Sequence, residues 1–241
     1  DEDGPHYEGR APEHWYPRRN RIHTLEFDST LGYPGEGHPP TVKLKLLSWN
    51  IGASELRSPH GRLKKAIDKF MHSSYDVLAL QEHQLDSKGV KSFGAYLERL
   101  DTDLRWCFNP RRAGKGLRGG TAVLVKPSVG EAKFERLADG EATLLIASSI
   151  RMYSVYAPQD TDKRIALFRK LDSANKDAIF GGDWNVLLDV LKDHSQGGPY
   201  TNNGGAEELR AMLAKRGARD IYREQEPPGR MTTRKDKVQL G

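Results

Sequence analysis

Asp183 and Asn185 stand two residues apart around Trp184, directly after the apolar run 178–180 and the pair Gly181-Gly182. In an extended backbone that spacing sends the carboxylate and the carboxamide to one face and the indole to the other. A carboxylate beside a carboxamide can orient a water and hold an anionic oxygen or a metal-bound group. The same residues also fit a plain Gly-Gly turn closed by an Asx residue. Three further apolar runs end in capable side chains: Asn50, Glu82 and Tyr156. Singly, each has a duller reading, as a turn residue, a surface charge and a half-buried aromatic. As a set they matter more, because strand ends of an α/β fold converge on one crevice. Phosphodiester hydrolysis needs such a set. An acidic oxygen ligand holds a hard divalent ion, a carboxylate handles the attacking water, and neutral donors meet the growing charge on phosphate oxygens.

Positioning these groups requires strands. Alternation of apolar and polar residues from Val42 predicts a strand over 42–49, and apolar runs predict others over 75–80, 104–108, 121–125, 134–137, 143–150 and 151–156. Helical spacing marks 62–71, 90–100, the segment around Ile165, Phe168 and Leu171, and one around Ala206, Leu209, Met212 and Leu213. Strands alternate with helices, yet several follow one another directly. That favours a mixed-sheet α/β sandwich over a purely parallel, doubly wound sheet.

The remaining chain is bounded by composition. A length of 241 residues suits one large α/β domain or two small ones. A single cysteine, Cys107, excludes an internal disulfide and a cysteine cage for zinc. No apolar run is long enough to span a membrane, and no signal-peptide pattern is present, so an intracellular location is expected, nuclear in a eukaryote. Residues 1–40 hold six of the 13 prolines and read as a flexible leader, with local order near 22–27 and the domain proper at 41–241. The leader's histidines at 6, 14, 23 and 38 lack a ligand spacing and read as solvated. The leader carries 8 acids against 4 Lys/Arg, a net of −4, so of the whole chain's +5 the rest carries +9. That suggests a polyanionic partner. Arg111, Arg112, Lys115 and Arg118 form the strongest nucleic-acid surface, with Trp106 available for stacking if exposed and a core residue otherwise.

The segments SWNIG (48–52), DVLALQE (76–82), GGTAVLV (119–125), VYAPQD (155–160) and GGDWN (181–185) occur in that order. Together they resemble the endonuclease/exonuclease/phosphatase superfamily, from about Thr41 to the end. The resemblance implies a four-layer, DNase I-like α/β sandwich of two packed mixed sheets flanked by helices. Tyr156-Ala157-Pro158 is similar to the exonuclease III/apurinic endonuclease branch, and the wording of the motifs is similar to LINE-type retrotransposon endonucleases. What this implies is a metal-dependent endonuclease acting on DNA, with Mg²⁺ (or Mn²⁺) as cofactor. Glu82 would ligate the metal, with Asn50 beside it. Tyr156 would contact the scissile phosphate, Asp183 would orient or activate the water, and Asn185 would bond the phosphate or a catalytic partner. In the retroelement case a downstream reverse transcriptase would accompany the domain.

Three departures accompany the resemblance. Gly52 stands where some members carry an acid. Gln159 replaces the branch's usual Asn and keeps a carboxamide for nucleic acid at longer reach. The sequence ends at Gly241, ahead of the family's RxD-like strand and Ser-Asp-His, which implies a domain lacking its last strands and little activity for residues 1–241 alone. His194 reads as a loop residue, and His83 as a supporting or DNA-side residue. Two other readings stay open: a catalytically impaired nucleic-acid-binding fragment, and a phosphatase of the same fold.

Overall fold

A computed structural model of the chain describes residues 23–27, 44–52, 58–100, 103–112, 118–138, 140–147, 150–173, 177–188 and 203–221. Along these residues run β1 (His23–Phe27), β2 (Leu44–Asn50), α1 (Pro59–Met71), β3 (Val77–Gln81), α2 (Ser87–Glu98), β4 (Arg105–Asn109) and β5 (Thr121–Val125). They are followed by β6 (Lys133–Leu137), β7 (Ala142–Ala147), β8 (Ile150–Tyr156), α3 (Thr161–Asp172), β9 (Ala178–Asp183) and α4 (Ala206–Arg216). Three of the helices start where side chains cap them. Ser58 accepts from the Gly61 N–H ahead of Pro59, Asp86 from Gly89 and Asp160 from Lys163.

The strands form two sheets, ordered β1-β2-β3-β5-β4 and β6-β7-β8-β9. Period-two alternation sorts their side chains between layers. In β3, Leu78 and Leu80 pack with Leu63, Ile67 and Phe70 of α1 and Phe93 and Leu97 of α2. Val77 and Ala79 face the second sheet, where they meet Leu145, Ala147 and Met152. The outer face of that second sheet, with Tyr153 and Val155, is covered by Leu167, Phe168 and Leu171 of α3 and Leu209 and Met212 of α4. The result is helix, sheet, sheet, helix: the four-layer mixed sandwich expected from the sequence.

Both sheets contain one parallel pair, β2 with β3 and β8 with β9, and the remaining pairs are antiparallel. A parallel neighbour requires a crossover, supplied by α1 in one case and α3 in the other. Parallel pairing brings both C-terminal strand ends to the same edge. Asn50 therefore lies in register with Gln81, and Tyr156 with Asp183.

Below these ends a polar seam ties the sheets. Gln81 Nε2 donates to Ser154 Oγ at 3.0 Å, Ser154 Oγ donates to Leu80 O at 2.9 Å, and the Thr121 and Thr143 hydroxyls bond at 2.8 Å. Buried polar bonds with such directional demands fix how one sheet sits on the other.

Two boundaries differ from the sequence reading. Residues 23–27, where local order is expected within the leader, pair antiparallel with β2, so the first sheet reaches back before Thr41. The run expected over 143–150 is divided between β7 and β8, an antiparallel pair whose register joins Ala147 to Ile150. The polar pair Ser148-Ser149 marks the break in the apolar run at that point.

Candidate active site

The five strand-end residues singled out in the sequence meet across the two sheets. Asn50 Nδ2 donates to Asp183 Oδ2 at 3.0 Å and to Glu82 Oε1 at 3.3 Å, while its Oδ1 accepts from the Gly52 N–H at 2.9 Å. Those partners fix the amide's orientation, because two carboxylates accept and a backbone N–H donates. Tyr156 completes the group. Its hydroxyl donates to Glu82 and accepts from Asn185. Burial, then the Glu82 and Asp183 charges, push the phenol far above its ordinary range, so it stays a neutral donor.

Asp183 and Asn185 combine the two readings their spacing allowed. The Asn185 N–H donates to Asp183 Oδ1 at 3.0 Å, a closed Asx turn, and Oδ2 is turned toward Asn50. Asn185 Nδ2 donates to Ala157 O at 2.6 Å, and Ala157 N–H donates to Asp183 O at 2.8 Å. Trp184 points the other way, with its ring centroid 5.8 Å from Phe168 and 6.1 Å from Phe180. Gly182 is required by the pairing, since a Cβ there would lie 1.9 Å from Val155 O.

Glu82 sits on an unusual stretch of backbone. Its φ is 56° and that of Gln84 is 63°, left-handed values that need outside support. One support is Arg62, a buried guanidinium that the sequence marks only as the start of a helix. Its Nη1 donates to Gly52 O at 2.8 Å and its Nη2 donates to Gln84 Oε1, so it grips both segments framing Glu82. Burial lowers the pKa of Arg62 and the Glu82 charge opposes that shift. A signal was available, because Arg62 stands one residue before Leu63 and four before Ala66 on the buried stripe.

His83 is the other support. It is fully buried and away from any DNA-facing surface, and both ring nitrogens are taken up by backbone groups. Its Nδ1 accepts from Leu85 N–H at 3.1 Å, which puts the proton on Nε2, and Nε2 donates to Asn109 O at 3.0 Å and Thr121 O at 3.2 Å. Burial pulls its pKa down to about 4.

The basic segment follows β4. Arg111 N–H donates to Leu85 O at 2.8 Å and its Nε donates to Gln84 O at 3.1 Å, fastening the segment beside the exit of β3. Arg112 and Arg118 are exposed; Lys115 lies outside the described residues, as does His194. Trp106 is partly buried, packed against the cluster beneath α1 and α2 and over Gly94. Gln159 is exposed just beyond Tyr156 and Pro158.

Chemically, the site offers two carboxylates, a phenolic donor and two carboxamides. No group of three or more His, Cys, Asp and Glu that could hold a metal occurs among the described residues. A hard ion held by one or two carboxylates, with phosphate and water completing its shell, fits this oxygen donor set.

A family model described as the endonuclease/exonuclease/phosphatase family matches residues 47–212. No curated protein matches the chain. Among solved structures, the fold is similar to an AP endonuclease from Archaeoglobus fulgidus, with 20% identity, TM-score 0.57, and coverage of 78% of this chain and 76% of that one. It is similar to the AP endonuclease LMAP from Leishmania major, with 19% identity, TM-score 0.56, and coverage of 75% and 69%. A third is the 3' phosphatase NExo from Neisseria bound to a product DNA hairpin, with 15% identity, TM-score 0.50, and coverage of 70% and 71%.

Proposed function

The chain belongs to the endonuclease/exonuclease/phosphatase family, and we propose that it is a metal-dependent phosphodiesterase that nicks DNA. The observation carrying this reading is Asn50, whose single amide joins Glu82 from one sheet to Asp183 from the other. Glu82, with Asn50 beside it, would hold Mg²⁺ (or Mn²⁺), which when bound polarises the phosphate and offsets its growing charge. Asp183 acts on the attacking water. Asn50 and the Asn185 N–H fix the direction of its two oxygens, and the carboxylate so aimed orients the water and takes its proton. The water oxygen bonds to phosphorus as the ester P–O bond breaks. The electron pair departs with the ester oxygen, which takes a proton from solvent to become the hydroxyl of the nicked strand. Tyr156, kept protonated by burial and by the two carboxylates, donates to a phosphate oxygen in exchange for Glu82, and Asn185 sets the hydroxyl's direction. The exposed arginines at 112 and 118 and the amide of Gln159 supply contacts along the nucleic-acid backbone.

Supercoiled plasmid, with and without an abasic site, tests the reading in the presence of Mg²⁺. Nicking that falls by about two orders of magnitude or more in Asp183→Ala is the expected result. Equal nicking by that variant would overturn it. Cleavage confined to abasic plasmid assigns an apurinic-site role, and cleavage of intact plasmid the retroelement-like role. Duplex binding without cleavage assigns a nucleic-acid-binding role instead, and release of terminal phosphate alone a phosphatase.

A further inference from the structure

Arg164 is wholly out of solvent although it carries a charge, and it occupies the buried stripe of α3 with Leu167, Phe168 and Leu171. Its donors are spent on loop carbonyls. Nη1 donates to Pro158 O at 3.1 Å and Gln159 O at 3.2 Å, Nε donates to Gly204 O at 2.9 Å, and Nη2 reaches Gly204 O and Thr161 Oγ1. The turn at Gly204 is pressed so closely on α3 that a Cβ there would lie 2.5 Å from Thr161 Cγ2.

One residue earlier, the Asn203 carboxamide pairs with Leu187 as a neighbouring strand would. Its Oδ1 accepts from Leu187 N–H at 2.8 Å and its Nδ2 donates to Leu187 O at 2.9 Å. Residues 203–204 thus join two loops: the one leaving Tyr156 and the one leaving Asp183. These loops already touch through Asn185 Nδ2 and Ala157 O. The bonds close a ring running Arg164, Pro158, Ala157, Asn185, Leu187, Asn203 and Gly204.

We propose that Arg164 and Asn203 are positioning residues, and that this ring sets where Asp183 and Asn185 stand against Tyr156. The proposal rests on the phosphodiesterase reading of the site. Its physical ground is the backbone of Asn185, whose φ of 51° is a left-handed value that asparagine adopts more readily than other non-glycine residues and that a constraint from its neighbours holds in place. The ring is that constraint. A reacting group displaced by about 1 Å can cost a hundredfold in rate, so a restraint away from the chemistry acts on turnover. Asn203 works through Leu187 and Asn185, and Arg164 through the two carbonyls beyond Tyr156.

The test uses the full chain with Asn203→Ser or Arg164→Lys, an ammonium being too compact to span three carbonyls. Amide hydrogen exchange is read at Leu187 and Asn185 against amides in β2 and β3, alongside plasmid nicking. Both variants are expected to speed exchange at Asn185 about tenfold with the strand amides unchanged, and to lower kcat about tenfold at constant KM. In an Asn185→Ala background, Asn203→Ser should cause no further loss of kcat, since both changes act through one group. Faster exchange at Leu187 with Asn185 unchanged, or a full tenfold loss in the Asn185→Ala background, would overturn the proposal. Should Arg164→Lys fail to fold, Asn203→Ser decides alone. Absence of nicking in the parent chain, where little activity is expected of residues 1–241 alone, would bear on the phosphodiesterase reading only, while exchange at Asn185 would still decide the ring.

Discussion

Asn50 faces two carboxylates, and its neutrality is what lets them approach one group. An amide donates to both and accepts the Gly52 N–H; a carboxylate of the same shape would repel both and leave no donor. Asn50→Ala should lower nicking by about two orders of magnitude, in the range seen when one transition-state donor is lost. Asn50→Asp should be worse than Asn50→Ala, because it adds repulsion where alanine only removes attraction. The reverse ranking, measured as kcat on supercoiled plasmid, would mean that the bridge is incidental. Gly52 sets a second constraint, since a Cβ there would lie 2.0 Å from Glu82 Oε2. Gly52→Ala should push the carboxylate aside and raise the Mg²⁺ concentration for half-maximal nicking about tenfold, with the thermal midpoint little changed.

Each half of the site is built by one βαβ unit, β2-α1-β3 or β8-α3-β9, and the turn after β3 is the harder to hold. His83 pins it, neutral and buried, to carbonyls of β4 and β5. With a pKa near 4 in the folded chain and about 6.5 unfolded, the unfolded state binds more protons between those values, so stability falls as pH drops below about 6.5. From pH 7 to pH 5 this histidine alone should account for about 2 kcal/mol of lost stability. Urea midpoints for the parent chain and His83→Gln would show it: the variant should lose that part of the pH slope, and an identical slope would rule the histidine out. Such elements were legible wherever periodicity was clean, as at Thr121–Val125, where an all-buried strand stands between glycines and Lys126. The strand ends were legible for the same reason, each following an apolar run. The supports were less so. His83 reads from the sequence as a supporting or DNA-side residue, but Arg62, Arg164 and Asn203 do not stand out: they bond mainly to backbone carbonyls and amides or to an uncharged amide, often tens of residues away, and any sequence offers such partners. Arg164 did leave a trace, a charge at the i position of an i, i+3, i+4, i+7 apolar stripe.

At the scale of the whole molecule the question is whether the positive charge is general or placed. The chain carries +5 overall, and a cationic surface by itself raises affinity for any polyanion. What favours placement is the anchoring of Arg111 to Gln84 and Leu85, which sets exposed Arg112 beside the strand end bearing Glu82. The two cases separate by salt dependence. If Arg112 and Arg118 each neutralise one phosphate of a duplex, their replacement by alanine should reduce the slope of log affinity against log salt by about 2, and weaken binding most at low salt. Replacing Arg169 and Lys170, exposed on α3 over the outer face of the second sheet, removes the same two charges from the chain's +5. That control should leave the slope nearly untouched, because counterions are released only where a cation meets a phosphate. Equal reductions in both double variants would mean that net charge, not the segment beside Glu82, draws the duplex in. An unchanged slope in both would place the DNA elsewhere on the molecule.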